Sequence, residues 1–177
     1  VLLLGGGGER ILFHGNAATL PKKHQLLLGF SDGTYLTVSV QGWGSVLLMA
    51  ESDLPNHSYL GWRKLSPLSE GFSYSYFSSL FADLKDEDSR SIKFWMISEP
   101  GILGMGNGCL QDILFRAKIH PKRRVVDIRE DERRMLYDAI REVLQQMIDQ
   151  GGRESERDLY NRSGGYRRLL DSASVGE

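Results

Sequence analysis

Residues 92–121 read IKFWMISEPGILGMGNGCLQDILFRAKIHP, and the rest of the chain is placed around them. The apolar spacing of Ile92 to Ile97 predicts a short helix, Gly101 to Gly108 a glycine-punctuated loop, and the residues from about Leu110 a second apolar helix. Glycines at 104, 106 and 108, with Asn107 between two of them, describe a backbone that turns tightly and approaches something closely. Amides that point outward just before a helix N-terminus form a ready anion site.

On the C-terminal side, Arg116 to Arg134 carries eight Lys or Arg against four Asp or Glu, and Lys118, Lys122, Arg123 and Arg124 surround His120-Pro121. A solvated helical hairpin explains such a run in most proteins. Beside the glycine loop, the same charges also suit a phosphate backbone. Asp127 to Glu130 has the form of a capping box, opening a helix to about Gln150 with Leu136, Ile140, Val143, Leu144, Met147 and Ile148 on one stripe. Gly151-Gly152 closes that helix. A polar, arginine-rich stretch with a turn at Ser163-Gly164-Gly165 comes next, and residues 172–177 read as a loose end.

On the N-terminal side, the aromatic and apolar residues Tyr76, Phe77, Leu80, Phe81 and Leu84 recur at helical spacing. Further back the period changes to that of strands. Arg10 to His14, Gln25 to Phe30, Thr34 to Val40 and Ser45 to Met49 are short β-prone runs, with a turn at Ser31-Asp32-Gly33. The chain is therefore expected to be α+β, a partial antiparallel β-sandwich followed by a helical domain. The expected divisions are a β part over 1–55, a linker over 56–70 and the helical domain over 71–177.

With 177 residues and 41% hydrophobic content the chain can bury a core. Its 22 Lys and Arg nearly balance 23 Asp and Glu, so any basic footprint for nucleic acid is local. The single cysteine, Cys109, excludes an intrachain disulfide and any zinc site built on several thiolates, and it suits a reducing compartment. No apolar run reaches the roughly 18 residues of a membrane span. A cytoplasmic protein is expected, and one whose start has been cut away, since it opens on Val1 inside an apolar run.

The other motifs have plain readings. His14, His24, His57 and His120 lack metal-ligand spacing and are taken as structural or DNA-facing, and Cys109 as a small packing residue. Gly5 to Gly8 lacks the Gly-Lys-Ser/Thr ending of a phosphate loop and reads as a hairpin turn. Trp43, between two glycines, is a core residue by default. The alternative is a side chain pushed from a turn to wedge or stack against a base.

The order of these pieces resembles the formamidopyrimidine-DNA glycosylase and endonuclease VIII family of DNA repair proteins, above all its helix-two-turn-helix region. The matching residues are Lys93, Trp95, Gly104-Met105-Gly106-Asn107, Asp112 as the acidic residue opening a helix, Leu114-Phe115-Arg116-Ala117-Lys118-Ile119-His120-Pro121, the helix from Asp127, and Gly151-Gly152. Pro21-Lys22-Lys23-His24 and the strands after it are similar, more loosely, to the second half of the family's β-sandwich.

The resemblance implies base-excision repair by a DNA N-glycosylase with abasic-site lyase activity on double-stranded DNA, acting as a monomer in the cytoplasm or nucleoid. It implies that Lys93, Gly106 and Asn107 hold a phosphate beside the flipped nucleotide, supported by Asp112. It places Asn16, Gln41 and Trp43 where the family fills the space left by the flipped base, usually with methionine, arginine and an aromatic. The family's nucleophile is an N-terminal proline amine beside a glutamate, and its zinc lies in a C-terminal four-cysteine finger. Neither is present here, so this chain is expected to carry no catalytic residue and no metal, and to bind DNA as the middle of a longer enzyme. The alternatives are a non-catalytic DNA-binding or scaffolding relative, and a ribosomal-type helix-two-turn-helix protein that binds RNA, against which the strands and Trp43 argue.

Overall fold

The computed structural model describes residues 1–5, 9–40, 44–57, 65–98 and 102–170. Five short strands come first: β1 (Leu2–Gly5), β2 (Glu9–His14), β3 (Leu26–Gly29), β4 (Tyr35–Val40) and β5 (Ser45–Leu48). They form two antiparallel sheets, β1 with β5, and β2-β4-β3 with β4 in the centre. Register in the larger sheet pairs Ile11 with Val38 and His14 with Tyr35. That puts His14 and Thr37 diagonally on one face, where the buried imidazole Nε2 lies 2.9 Å from the Thr37 hydroxyl and Nδ1 lies 3.1 Å from that of Thr19. His14 is thus structural. The expected hairpin turn at Gly5 to Gly8 falls largely outside the described residues.

Among the described residues, four α-helices come after the strands: α1 (Tyr74–Ser79), α2 (Ile92–Ile97), α3 (Asn107–Arg116) and α4 (Glu130–Asp149). Serines cap the first two, Ser73 Oγ accepting from the Tyr76 amide and Ser91 Oγ from that of Phe94, each at 3.2 Å. The core of the helical unit holds Phe72, Phe77, Ile92, Trp95, Met96, Leu110, Ile113, Leu136 and Ile140, all at most 1% exposed. Phe81 packs on Trp95 with ring centroids 4.4 Å apart, and Phe72 stacks on Tyr137 at 5.9 Å. Leu136, Ile140, Val143 and Met147 form the buried stripe of α4 as expected, but Leu144 is only half-buried and Ile148 is 53% exposed.

The capping box of α4 lies two residues beyond its expected place. Asp127 sits in a 3-10 turn over Val125–Asp127, and the helix begins at Glu130. The carboxylate that reaches back belongs to Glu132, whose Oε2 accepts from the Arg129 amide at 2.9 Å. Its other oxygen meets the Arg123 guanidinium. The Arg129 amide and the Arg123 guanidinium hold the Glu132 carboxyl below the usual glutamate range.

The chain divides into two compact units, Val1–His57 with Gln150–Tyr166, and Ser58–Asp149 with Arg167–Glu177. Residues 150–166, expected with the helices, therefore group with the strands. The Phe13 amide of β2 donates to the Leu159 carbonyl at 2.8 Å, and Phe13 and Tyr160 pack edge to face at 5.7 Å. This covers the edge of β2 that β4 leaves open. The covering segment is tied into a knot of its own. Gly165 donates to Gln150, Tyr166 to Gly152 and Glu154 to Tyr166 at 2.8–2.9 Å. A Cβ on Gly164 would stand 2.1 Å from the Gly152 carbonyl oxygen, so only glycine fits there.

Candidate nucleic-acid interface

The glycine loop is a turn anchored at both ends. Met105 donates its amide to the Ile102 carbonyl at 3.1 Å, and Gly104 occupies the third position of that turn with φ +75°. The two ends are buried, Ile102 at 5% and Met105 at 6% exposure, and the Ile102 amide is fixed to the Met96 carbonyl of α2 at 2.9 Å. These anchors hold the two residues after Met105, which face out. Gly106 is the N-cap of α3, in extended conformation, and Asn107 is its first residue, exposed. The helix thus starts three residues earlier than the sequence pattern suggests, and Asn107 and Gly108 belong to its first turn. Their two amides have no partner among the described residues, as at any helix start.

Asp112 is not at the opening of α3 but in its middle, 1% exposed, accepting from the Leu169 amide at 3.2 Å. It ties the chain after Tyr166 back to α3. Cys109 is buried, with its Sγ 3.4 Å from Met105 Sδ.

Lys93, in α2, lies with Gln111, Lys118 and His120 around a cavity of about 740 Å³ floored by Leu110, Leu114 and Ile119. Gly106 and Asn107 are not among its walls. The last turn of α3 ends in a Schellman motif: the Lys118 amide donates to Phe115 and the Ile119 amide to Leu114, both at 3.0 Å. Lys118 takes the left-handed position of that motif, with φ +56°. Nothing in the sequence singles Lys118 out from the bases around it.

Of the residues expected to fill the space left by a flipped base, Asn16 is exposed and its Oδ1 accepts from the Ala18 amide at 2.9 Å, capping a 3-10 turn over Ala17–Thr19. Gln41 and Trp43 lie outside the described residues. Among the described residues no group of three or more His, Cys, Asp and Glu is placed to hold a metal ion. None of the helices described is long and apolar enough to cross a membrane.

Comparison with known proteins agrees with this geometry. The formamidopyrimidine-DNA glycosylase H2TH domain model matches residues 65–158. The formamidopyrimidine-DNA glycosylase of Edwardsiella ictaluri is 35% identical over 148 residues, 82% of this chain and 52% of the relative. That of Solibacter usitatus is 32% identical over 158 residues, 86% of this chain and 56% of the relative. The chain thus spans about half the length of these relatives. Two solved structures are similar, both of Lactococcus lactis Fpg: a variant with Fapy-dG-containing DNA (TM-score 0.74) and a complex with abasic-site DNA (TM-score 0.72). Each is 23% identical and covers 93% of this chain and 60% of the other. These likenesses confirm the fold, small antiparallel sheets followed by helix-two-turn-helix. With the domain model spanning α1 through α4 and beyond, the chain belongs to the formamidopyrimidine-DNA glycosylase family.

Proposed function

We propose that this chain holds double-stranded DNA at a damaged base or an abasic site, as the DNA-gripping part of a base-excision glycosylase with abasic-site lyase activity. The observation that carries the reading is Asn107, exposed at the start of α3 beside two unpartnered amides, on a turn whose two ends are buried. Short donors on a rigid turn suit a phosphate oxygen. They keep the backbone fixed while a nucleotide is swung out of the stack, which costs a few kcal/mol. Lys93 adds a cation from α2, and Asp112 holds the Leu169 amide to α3.

The groups at this site are amides, an asparagine and ammonium groups, all of them hydrogen-bond donors suited to an anion. Holding is therefore the role assigned to these residues, in the compartment that contains the DNA. Borohydride reduction on abasic-site DNA is expected to trap no covalent complex with this chain. A trapped complex would place the chemistry within these residues. A purely binding relative is the second reading, favoured by Asn16, whose side chain caps its own turn.

Binding to an abasic-site duplex tests the main reading. A hydrogen bond to a charged group contributes roughly 1.5–3 kcal/mol, so Asn107→Ala is expected to weaken binding about tenfold or more. Lys93→Ala is expected to lower the slope of log affinity against log salt by about 1. Unchanged affinity and slope in both variants would refute it.

A further inference from the structure

The basic run from Arg116 to Arg134 is divided by residue type. All six of its arginines are engaged within the protein. Arg116 bonds Glu142 through Nε at 2.8 Å, Arg123 binds Glu132, and Arg124 donates to the Asp86 carbonyl at 2.7 Å. Arg129 reaches Asp131 at 3.2 Å, Arg133 donates to the Ile128 carbonyl at 3.0 Å, and Arg134 lies 3.7 Å from Asp138. Its two lysines, Lys118 and Lys122, have no side-chain partner among the described residues, and neither does Lys93. The cations with no internal side-chain partner among the described residues of this run and α2 are thus these lysines, and two of them, Lys93 and Lys118, line one cavity.

We propose that Lys118 is a second phosphate-binding residue, acting with Lys93 at the mouth of this cavity on the backbone of bound DNA. The inference rests on the DNA-holding role proposed above. Three features support it. The Schellman turn fixes the root of the side chain through two hydrogen bonds. The left-handed backbone there would suit glycine, so a lysine is carried against conformational preference. The cavity the two lysines share has no carboxylate among its lining residues to compete for them. The plainer role for Lys118 is a cation complementing the C-terminal dipole of α3. That role affects only stability, and the two are separable by experiment.

Lys118→Gly removes the charge and also relieves the backbone. Affinity for an abasic-site duplex is expected to fall about three- to tenfold at low salt, and the salt slope by about 0.9, the value of one phosphate contact. The melting temperature is expected to stay level or rise, so that the loss is not one of folding. Lys118→Gln, which keeps the side-chain length, should show the same change in slope, and Lys118→Arg should retain the wild-type slope. A wild-type slope in Lys118→Gly or Lys118→Gln would overturn the proposal. So would an equal fall in Lys122→Gln, since Lys122 does not line the cavity and the effect would then be one of bulk charge. If Asn107→Ala weakens binding while the Lys118 variants do not, this inference alone fails. If the wild-type chain binds no DNA, the proposed function fails with it.

Discussion

Replacing Glu132 tests whether one carboxylate pins the start of α4 to the basic connection before it. Glu132 is 7% exposed, accepting the Arg129 amide at 2.9 Å and pairing with Arg123. The cap contributes about 1 kcal/mol. Breaking a fully buried ion pair costs roughly 3–5 kcal/mol, but exposure lowers that figure. Arg123 is 33% exposed and keeps a bond to the Asp127 carbonyl at 2.6 Å. Its share is therefore about 1 kcal/mol. Glu132→Ala is thus expected to lose about 2 kcal/mol at pH 7, and Glu132→Gln, which retains an acceptor, about 1 kcal/mol. The sign with pH follows from the lowered carboxyl. Its contribution is fully present above the ordinary glutamate value of about 4.3, and is lost as pH falls below that value and through the depressed one. Urea unfolding at pH 7 and at acid pH, read by the fluorescence of buried Trp95, measures both effects. Glu132→Ala within about 0.5 kcal/mol of wild type, or Glu132→Gln with undiminished acid sensitivity, would refute the reasoning.

Three further outcomes are expected. Gly164→Ala forces a Cβ against the Gly152 carbonyl and opens the three backbone bonds among residues 150–166, at about 1 kcal/mol each; amide exchange should speed up at Phe13, Gly165 and Tyr166 and stay unchanged in the middle of α4. Ile140→Ala, at a site with no exposure, is expected to cost about 3–4 kcal/mol in urea unfolding, and a cost under about 1 kcal/mol would mean the α4 stripe is not core. Asp112→Asn keeps an acceptor for the Leu169 amide, so DNA affinity is expected to stay within about twofold of wild type, and a tenfold loss in a filter-binding assay would show that its charge acts on the DNA directly.

The helix-two-turn-helix region is legible in the sequence because its signals are local. A turn that needs φ +75° calls for glycine, and a buried stripe on α4 leaves a helical period in the sequence. The reaching-back carboxylate lies two residues from its expected place because Asp127 and Glu130 have the residue types of a capping box, whereas Arg129 offers no side-chain acceptor and so gives no N-cap signal before Glu132. The cover on β2 is illegible because backbone atoms make its central contact, Phe13 to Leu159, and those leave no residue pattern. The division between arginines and lysines is hidden too. Partners such as Glu142 for Arg116 and the Asp86 carbonyl for Arg124 are brought near only by the fold.

The cover on β2 also sets a timetable. A ribosome releases β2 long before Leu159, so while every helix between them is being made the strand waits with one side bare. An open strand edge is the surface on which nascent chains pair wrongly, and a contact between residues so distant in sequence forms slowly. The finished protein is protected at this edge, while the half-made one is exposed there. The edge of β2 is therefore expected to close late, once the segment knotted at Gly152 and Gly164 has formed.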